Sequence, residues 1–174
     1  MLLIRDSHDG DIDAIADIYA HHVLCSTGTF EVDPPSATEM ARRRAEVLGR
    51  SLPWLVLEEG GVVLGYTYCN WFKPRPAYRF SAEDSIYLHP GAHGRGLARA
   101  LLAELGARAQ RAGVRKLIAV IGDAANASSI GAHRACGYLP VGVIAACGWK
   151  FGRWLDIVLM EKSLGFGASQ PASA

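Results

Sequence analysis

Gly94, Arg95, Gly96 and Arg99 stand where an apolar run ends and a leucine-spaced run begins. Ser85-Ile86-Tyr87-Leu88 reads as a strand. Pro90 and Gly91 stop it, and Leu97, Leu101 and Leu105 then recur at helical spacing. Glycines at a helix start let backbone N–H groups approach a ligand. Those groups have no partner inside the helix, and the helix dipole adds partial positive charge. A turn of this kind binds phosphate, and Arg95 and Arg99 add charge-assisted contacts. The plain alternative is a tight turn capped by surface arginines.

Two further groups of side chains could do chemistry. Glu83 and Asp84 open the same strand and point to its opposite faces, so one of them is placed to act as a general base. Upstream, Lys73, Arg75 and Arg79 alternate with Trp71, Phe72 and Tyr78. In isolation this is a solvated basic loop. Beside a strand that leads to a phosphate turn, it is a cationic cluster for an anionic substrate, with arginine suited to bidentate contacts. Asn126 caps a short helix closed by Gly137, and Tyr138 enters the next strand.

The elements that must position these residues follow from pattern. Leu2–Arg5 reads as a strand, and Asp9 or Asp11 can cap the helix whose stripe is Ile12, Ile15, Ala16 and Tyr19. Ser36-Ala37-Thr38-Glu39 has capping-box spacing and starts a helix ending at Gly49. Trp54–Leu57 and Val62–Tyr68 form a hairpin turned at Gly60-Gly61. A loop over 73–80 leads to a strand over 83–88, a helix over 96–112, a strand over 116–121 and a helix over 127–135. Strands over 138–146 and 154–161 come last. A meander followed by alternating strands and helices predicts an α/β chain with a mixed sheet and helices on both faces. One domain over 1–164 and a loose tail over 165–174 are expected.

Bulk properties narrow the function classes. The chain has 174 residues, half of them hydrophobic and a fifth charged, with a net charge of +1. That balance carries no electrostatic footprint for nucleic acid or a membrane surface. No apolar run approaches the roughly 18 residues that span a bilayer. The start, Met1-Leu2-Leu3-Ile4-Arg5-Asp6, lacks a basic, long-apolar leader. Cys25, Cys69, Cys136 and Cys147 are widely spaced, as in a reducing cytoplasm. His21 and His22 face different directions on a helix, so no metal site is expected.

Three phosphate loops compete for the glycine turn. A P-loop needs Gly-Lys-Ser/Thr, whereas Gly96 is followed by Leu97-Ala98. A dinucleotide turn needs a third small residue where Arg99 stands, and an acidic residue about 20 positions on. His93-Gly94-Arg95-Gly96-Leu97-Ala98 instead resembles the Gln/Arg-x-x-Gly-x-Gly/Ala loop of the GNAT acetyltransferase superfamily, with His93 at the first position. Asn126 to Tyr138 is similar to that superfamily's second motif, with His133 where a tyrosine is usual. Three more segments resemble its phosphinothricin and methionine sulfone or sulfoximine branch. They are Ser26–Glu31, Trp71–Ser85 (with Phe72 as an extra residue) and Gly148–Asp156.

The resemblance implies a twisted mixed sheet and transfer of acetyl from acetyl-CoA to the α-amine of a small anionic amino acid analogue. It implies that Ile86, Tyr87, Leu88, His93, Gly94, Arg95, Gly96, Leu97, Ala98, Arg99 and Asn126 hold the cosubstrate. Phe30, Lys73, Arg75, Tyr78, Arg79 and Ser85 would hold the acceptor. Glu83 would be the base, directly or through water, with an oxyanion held by the amide of Tyr87 or Leu88. His133 would either assist proton transfer or hydrogen-bond the cosubstrate or the base. A homodimer without metal, nucleic acid or membrane partner is expected. The alternatives are another amine acceptor on the same fold, or a CoA-binding module without catalysis.

Overall fold

The computed structural model describes residues 1–172. In chain order the elements are β1 (Leu2–Asp6), α1 (Ile12–Cys25), α2 (Ala37–Gly49), β2 (Trp54–Glu59), β3 (Val62–Trp71) and β4 (Ser81–Leu88). They continue with α3 (Leu97–Arg111), β5 (Lys116–Gly122), α4 (Ala127–Ala135), β6 (Leu139–Lys150) and β7 (Arg153–Ser163). The strands form one sheet in the order β1-β2-β3-β4-β5-β7-β6. Only the β4–β5 pair is parallel.

The sheet carries helices on both faces. Trp54, Leu55, Val56 and Leu57 are successive in β2, so they alternate between the faces, and all four are fully buried. Leu57 joins Leu97 and Leu101 of α3, while Trp54 and Val56 belong to the core that includes Ile15, Tyr19, Met40 and Val47 of α1 and α2. Ser36 caps α2 as its spacing predicts, its hydroxyl accepting from the Glu39 amide at 3.2 Å.

Two local expectations need correction. Neither Asp9 nor Asp11 caps α1 through its side chain. The Asp11 carboxylate instead takes the Arg5 guanidinium at 2.7 Å and the His8 amide at 2.8 Å, because a nearby cation outcompetes the helix amides. The strand expected to end at Ala146 runs on to Lys150. A bulge interrupts its pairing between Ile144 and Gly148, with Ala146 at φ 49°. The Asp156 carboxylate accepts from the Ala146 amide at 2.9 Å, replacing the missing ladder bond. Of the tail expected over 165–174, Ser173 and Ala174 lie outside the described residues. Just after Leu164, the Gly167 amide bonds back to the Leu164 carbonyl at 2.9 Å.

Candidate active site

The site is made by a gap in the sheet. β4 and β5 pair only from Ser81↔Lys116 to Asp84↔Ala119. Beyond that point β4 continues to Leu88 along β3 alone, and β5 continues to Gly122 along β7. The strands therefore splay from residue 85 onward. The wedge between them is a cleft of about 470 Å³, within the usual size of a ligand pocket. Glu83, Asp84, Ser85–Leu88 and Ala119–Gly122 form its strand walls.

The register decides which backbone groups face the gap. The Phe72 amide donates to Ser81 O and the His89 amide to Leu64 O, so hydrogen-bonded pairs between β3 and β4 fall on odd residues of β4. Tyr87 N–H is thereby turned toward β3, and the backbone groups of Ile86 and Leu88 point into the gap. Of the two amides considered for an oxyanion, only that of Leu88 is available. The Leu88 carbonyl is already taken by His22 Nε2 at 2.8 Å.

One mouth of the gap is the glycine turn. Gly94 and Gly96 have φ of 75° and 74°, a left-handed backbone open to glycine at low cost, and α3 begins immediately after. The amides of Gly94 through Arg99 find no acceptor among the described residues, since the first bond of the helix is Ala100 N–H to Gly96 O. Space beside both glycines is open. Successive free amides at a helix start, clear of side chains, fit a diphosphate. The expected side chains have different fates. His93 and Ala98 line the cleft, whereas Leu97 is buried in the core and offers only its amide. Arg95 is held by both oxygens of Glu59 at 2.9 Å, and Arg99 forms no ion pair among the described residues. Asn126 caps α4, its Oδ1 accepting from the Ser129 amide at 3.2 Å, and it lines the cleft.

At the closed end sit the carboxylates. Burial pushes the Glu83 carboxyl above its ordinary range, the neighbouring Asp84 charge adds to this, and Lys73 opposes it. Asp84 does face the other side of the strand, but that side holds a network. His133 Nε2 donates to Asp84 Oδ2 at 2.8 Å, Tyr138 Oη donates to Asp84 Oδ1 at 3.1 Å, and His133 Nδ1 lies 2.8 Å from Ser129 O. Asp84 is 6% and His133 2% exposed. Burial opposes charge on the imidazole, but the Asp84 hydrogen bond and charge, with the Ser129 carbonyl, outweigh it and raise the His133 pKa. With an acceptor at each ring nitrogen, the imidazolium is the form that satisfies both.

The remaining predicted residues divide. Phe30 and Ser85 line the cleft. Lys73, Arg75, Tyr78 and Arg79 do not; they lie on the exposed loop over 72–80, with Lys73 stacked on Phe72 and Arg79 on Phe80. Lys73 is tied to the cleft through its charge on Glu83. Ser26, Gly28 and Thr29, from the segment that the resemblance assigns to the acceptor pocket, also line the cleft; sequence reasoning missed Tyr19, His22 and Tyr68 as lining residues, and it missed the far wall, Val120–Gly122. Apolar patterning reads Tyr19 and Tyr68 as core; Tyr19 is buried in it and Tyr68 packs against it, half-buried. No local signal announces that β5 has lost its partner.

Known proteins share this architecture. A match to the Acetyltransferase (GNAT) family covers residues 15–138. Phosphinothricin N-acetyltransferase of Alcaligenes faecalis is 49% identical over 164 residues, 94% of this chain and 83% of that protein. L-methionine sulfoximine/L-methionine sulfone acetyltransferase of Salmonella typhimurium is 36% identical, covering 94% of this chain and 95% of its own. The crystal structure of a GNAT superfamily phosphinothricin acetyltransferase from Sinorhizobium meliloti, in complex with AcCoA, superposes with a TM-score of 0.95. It is 43% identical and covers 99% of this chain and 93% of that one.

Proposed function

The chain belongs to the acetyltransferase (GNAT) family, and we propose that it acetylates the α-amine of a small anionic amino acid analogue of the phosphinothricin, methionine sulfoximine or methionine sulfone type. It is an acetyl-CoA-dependent N-acetyltransferase. One observation carries the acceptor reading: a single gap runs from the unpaired amides of residues 94–99 to a carboxylate, Glu83, whose pKa is raised. The relatives named for those substrates support it.

Acetyl-CoA supplies a thioester carbonyl for the amine to attack and a thiolate that leaves. The residues of this chain do the rest. Amides of Gly94 to Arg99 hold the diphosphate, with Arg95 exchanging Glu59 for phosphate. Asn126, His93 and the backbone edge of Ile86 and Leu88 line the path to the acyl end. Glu83 takes the proton from the ammonium group, directly or through water. Its raised pKa brings it nearer to the amine's and to the working pH. Leu88 N–H meets the negative charge that develops on the carbonyl oxygen. Lys73, Arg75 and Arg79 draw the acceptor's acidic group toward the mouth, while Phe30 and Ser85 shape its seat. His133 is a positioning residue in this scheme, because both of its nitrogens are committed within the protein.

A thiol-release assay with acetyl-CoA and a panel of small amines tests the function. Turnover restricted to methionine sulfone, methionine sulfoximine and phosphinothricin is expected. Turnover only on polyamines or peptide N-termini overturns the acceptor assignment, and CoA binding without turnover on any amine overturns catalysis. Gly96→Ala tests the diphosphate turn. An alanine at this left-handed position is strained by about 1–2 kcal/mol; the free variant relieves this by turning its backbone away, so binding must restore the strained turn and acetyl-CoA affinity should weaken roughly tenfold by calorimetry. An unchanged Kd would remove the turn from the cosubstrate site.

We also assign a homodimer. β6 is an edge strand, and its Leu139, Val141 and Val143 are exposed; Trp149 and Trp154, 58% and 62% exposed, pack edge to face at 5.3 Å. A long apolar edge needs cover, and a second copy presents a matching strand. Light scattering should give twice 18.7 kDa, and Trp149→Arg/Trp154→Ser should give the monomer. A wild-type monomer at micromolar concentration rejects this assignment. No helix of the described residues is long and apolar enough to cross a membrane. We place the enzyme in the cytoplasm, where its four free cysteines stay reduced.

A further inference from the structure

The segment Ser26–Glu31 lies between α1 and α2 and has no regular structure, yet it is fastened at three points. The first is a slot. The Phe30 ring lies against Gly122, the last residue of β5, and Gly148 of β6. A Cβ on Gly122 would stand 2.9 Å from Phe30 Cε1 and would strike the Thr27 carbonyl; a Cβ on Gly148 would strike Phe30 Cε2 and Cδ2. Neither glycine is there for its backbone angles, since neither has positive φ. Each is there because only hydrogen fits beside the ring.

The second fastening is Lys150. It lies on the same face of β6, one side-chain repeat beyond Gly148, and is 4% exposed. Its ammonium donates to Ser26 O and Thr29 O, both at 2.8 Å, so it closes the two ends of the turn that delivers Phe30. It makes no ion pair with a carboxylate among the described residues. A buried cation must be held by something, and here two backbone carbonyls hold it. The third fastening is on the helix side, where Tyr19 Oη pairs with Thr29 Oγ1 at 2.9 Å and donates to Glu31 at 2.8 Å. Arg43 donates to the same carboxylate at 2.7 Å.

We infer that Gly122, Gly148 and Lys150 are positioning residues that set Phe30 as a fixed wall of the acceptor pocket and thereby limit which amino acid side chains it accepts. This rests on the reading of the cleft as an acceptor site. Phe30 lines that cleft together with Tyr68 and Glu83. A ring held by carbonyl–ammonium bonds and two glycine contacts cannot swing aside for a bulkier substrate. Filling either glycine slot pushes the ring into the cleft, and losing Lys150 frees the turn.

A mutant cycle with two readouts tests this. Gly148→Ala is expected to raise the acceptor KM about tenfold or more, the scale of overpacking a filled slot, while the acetyl-CoA Kd measured by calorimetry stays the same. In a Phe30→Ala background, where the slot is empty and the fold is not overpacked, Gly148→Ala should change KM by less than about twofold. Phe30→Ala alone should extend turnover to α-amino acids with larger side chains. Lys150→Met should raise the acceptor KM in the same sense. Independently of activity, 4-fluorophenylalanine at position 30 gives a fluorine resonance that should move in Gly148→Ala and sharpen in Lys150→Met as the ring gains freedom. Equal cost of Gly148→Ala with and without Phe30 overturns the clamp, as does a fluorine signal unmoved in both variants. A wild type that acetylates no amine would instead overturn the proposed function, and the fluorine signal would still decide the clamp.

Discussion

Glu83→Gln is expected to lower kcat by about 10²–10⁴-fold, the usual worth of a positioned general base, with the acetyl-CoA Kd unchanged. The side chain sits at the point where β4 leaves β5, half-buried, and its own surroundings raise its pKa: burial first, then the charge of Asp84, with Lys73 pulling the other way. A carboxylate so placed is a better match to an ammonium group than an exposed one. In the wild type, kcat/KM should fall at low pH with an apparent pKa above the ordinary 4.5 of a glutamate, because the protonated carboxyl cannot accept. The glutamine variant should lack that limb. Stopped thiol-release assays across pH measure both quantities, and near-wild-type turnover in the variant would strip Glu83 of the base role.

The second large effect concerns stability. Asp84→Ala leaves His133 buried without its counter-charge and leaves the Tyr138 hydroxyl without its acceptor. Breaking one side of a buried pair costs about 3–5 kcal/mol. Urea unfolding should show it as a lower midpoint with an unchanged slope. The sign of the pH dependence is a sharper test. In the wild type the folded pKa of His133 lies above 6.5. The folded state therefore binds the extra proton, and this contribution is complete below the unfolded value. It is lost as pH rises from there through the raised folded value. In Asp84→Ala the burial that opposes charge is no longer offset, so the folded pKa falls below the unfolded one. The same histidine then favours unfolding at low pH, and stability should rise with pH toward neutrality. An identical pH slope in the two proteins, after His133→Gln is used as the reference, would show that the pair carries no charge.

Legibility differed among the parts of the site for physical reasons. The glycine turn was readable because left-handed backbone before a helix demands glycine locally, and Gly94 and Gly96 sit there at φ of 75° and 74°. Ser36 and Asn126 were readable for a similar cause: a cap acts on amides two or three residues away. The role of Asp84 was not readable, since alternation along a strand predicts only that it faces away from Glu83. That the opposite side holds His133 depends on α4 folding against β4, a contact spanning 49 residues. The cationic loop shows the reverse case. Lys73, Arg75 and Arg79 are close to Glu83 in sequence, yet the loop carries them to the surface rather than to the cleft wall.

Sequence alone determined the elements, the mixed α/β class and the turn that offers free amides, because helix periodicity, strand alternation and glycine chemistry all act within a few residues. Tertiary structure decided where β4 and β5 part, which amide of Tyr87 and Leu88 is free, and how Gly122, Gly148 and Lys150 hold Phe30. Those depend on register and on contacts between segments up to 124 residues apart. A strand's residues record which faces are buried, but not which neighbour it pairs with or where that pairing stops.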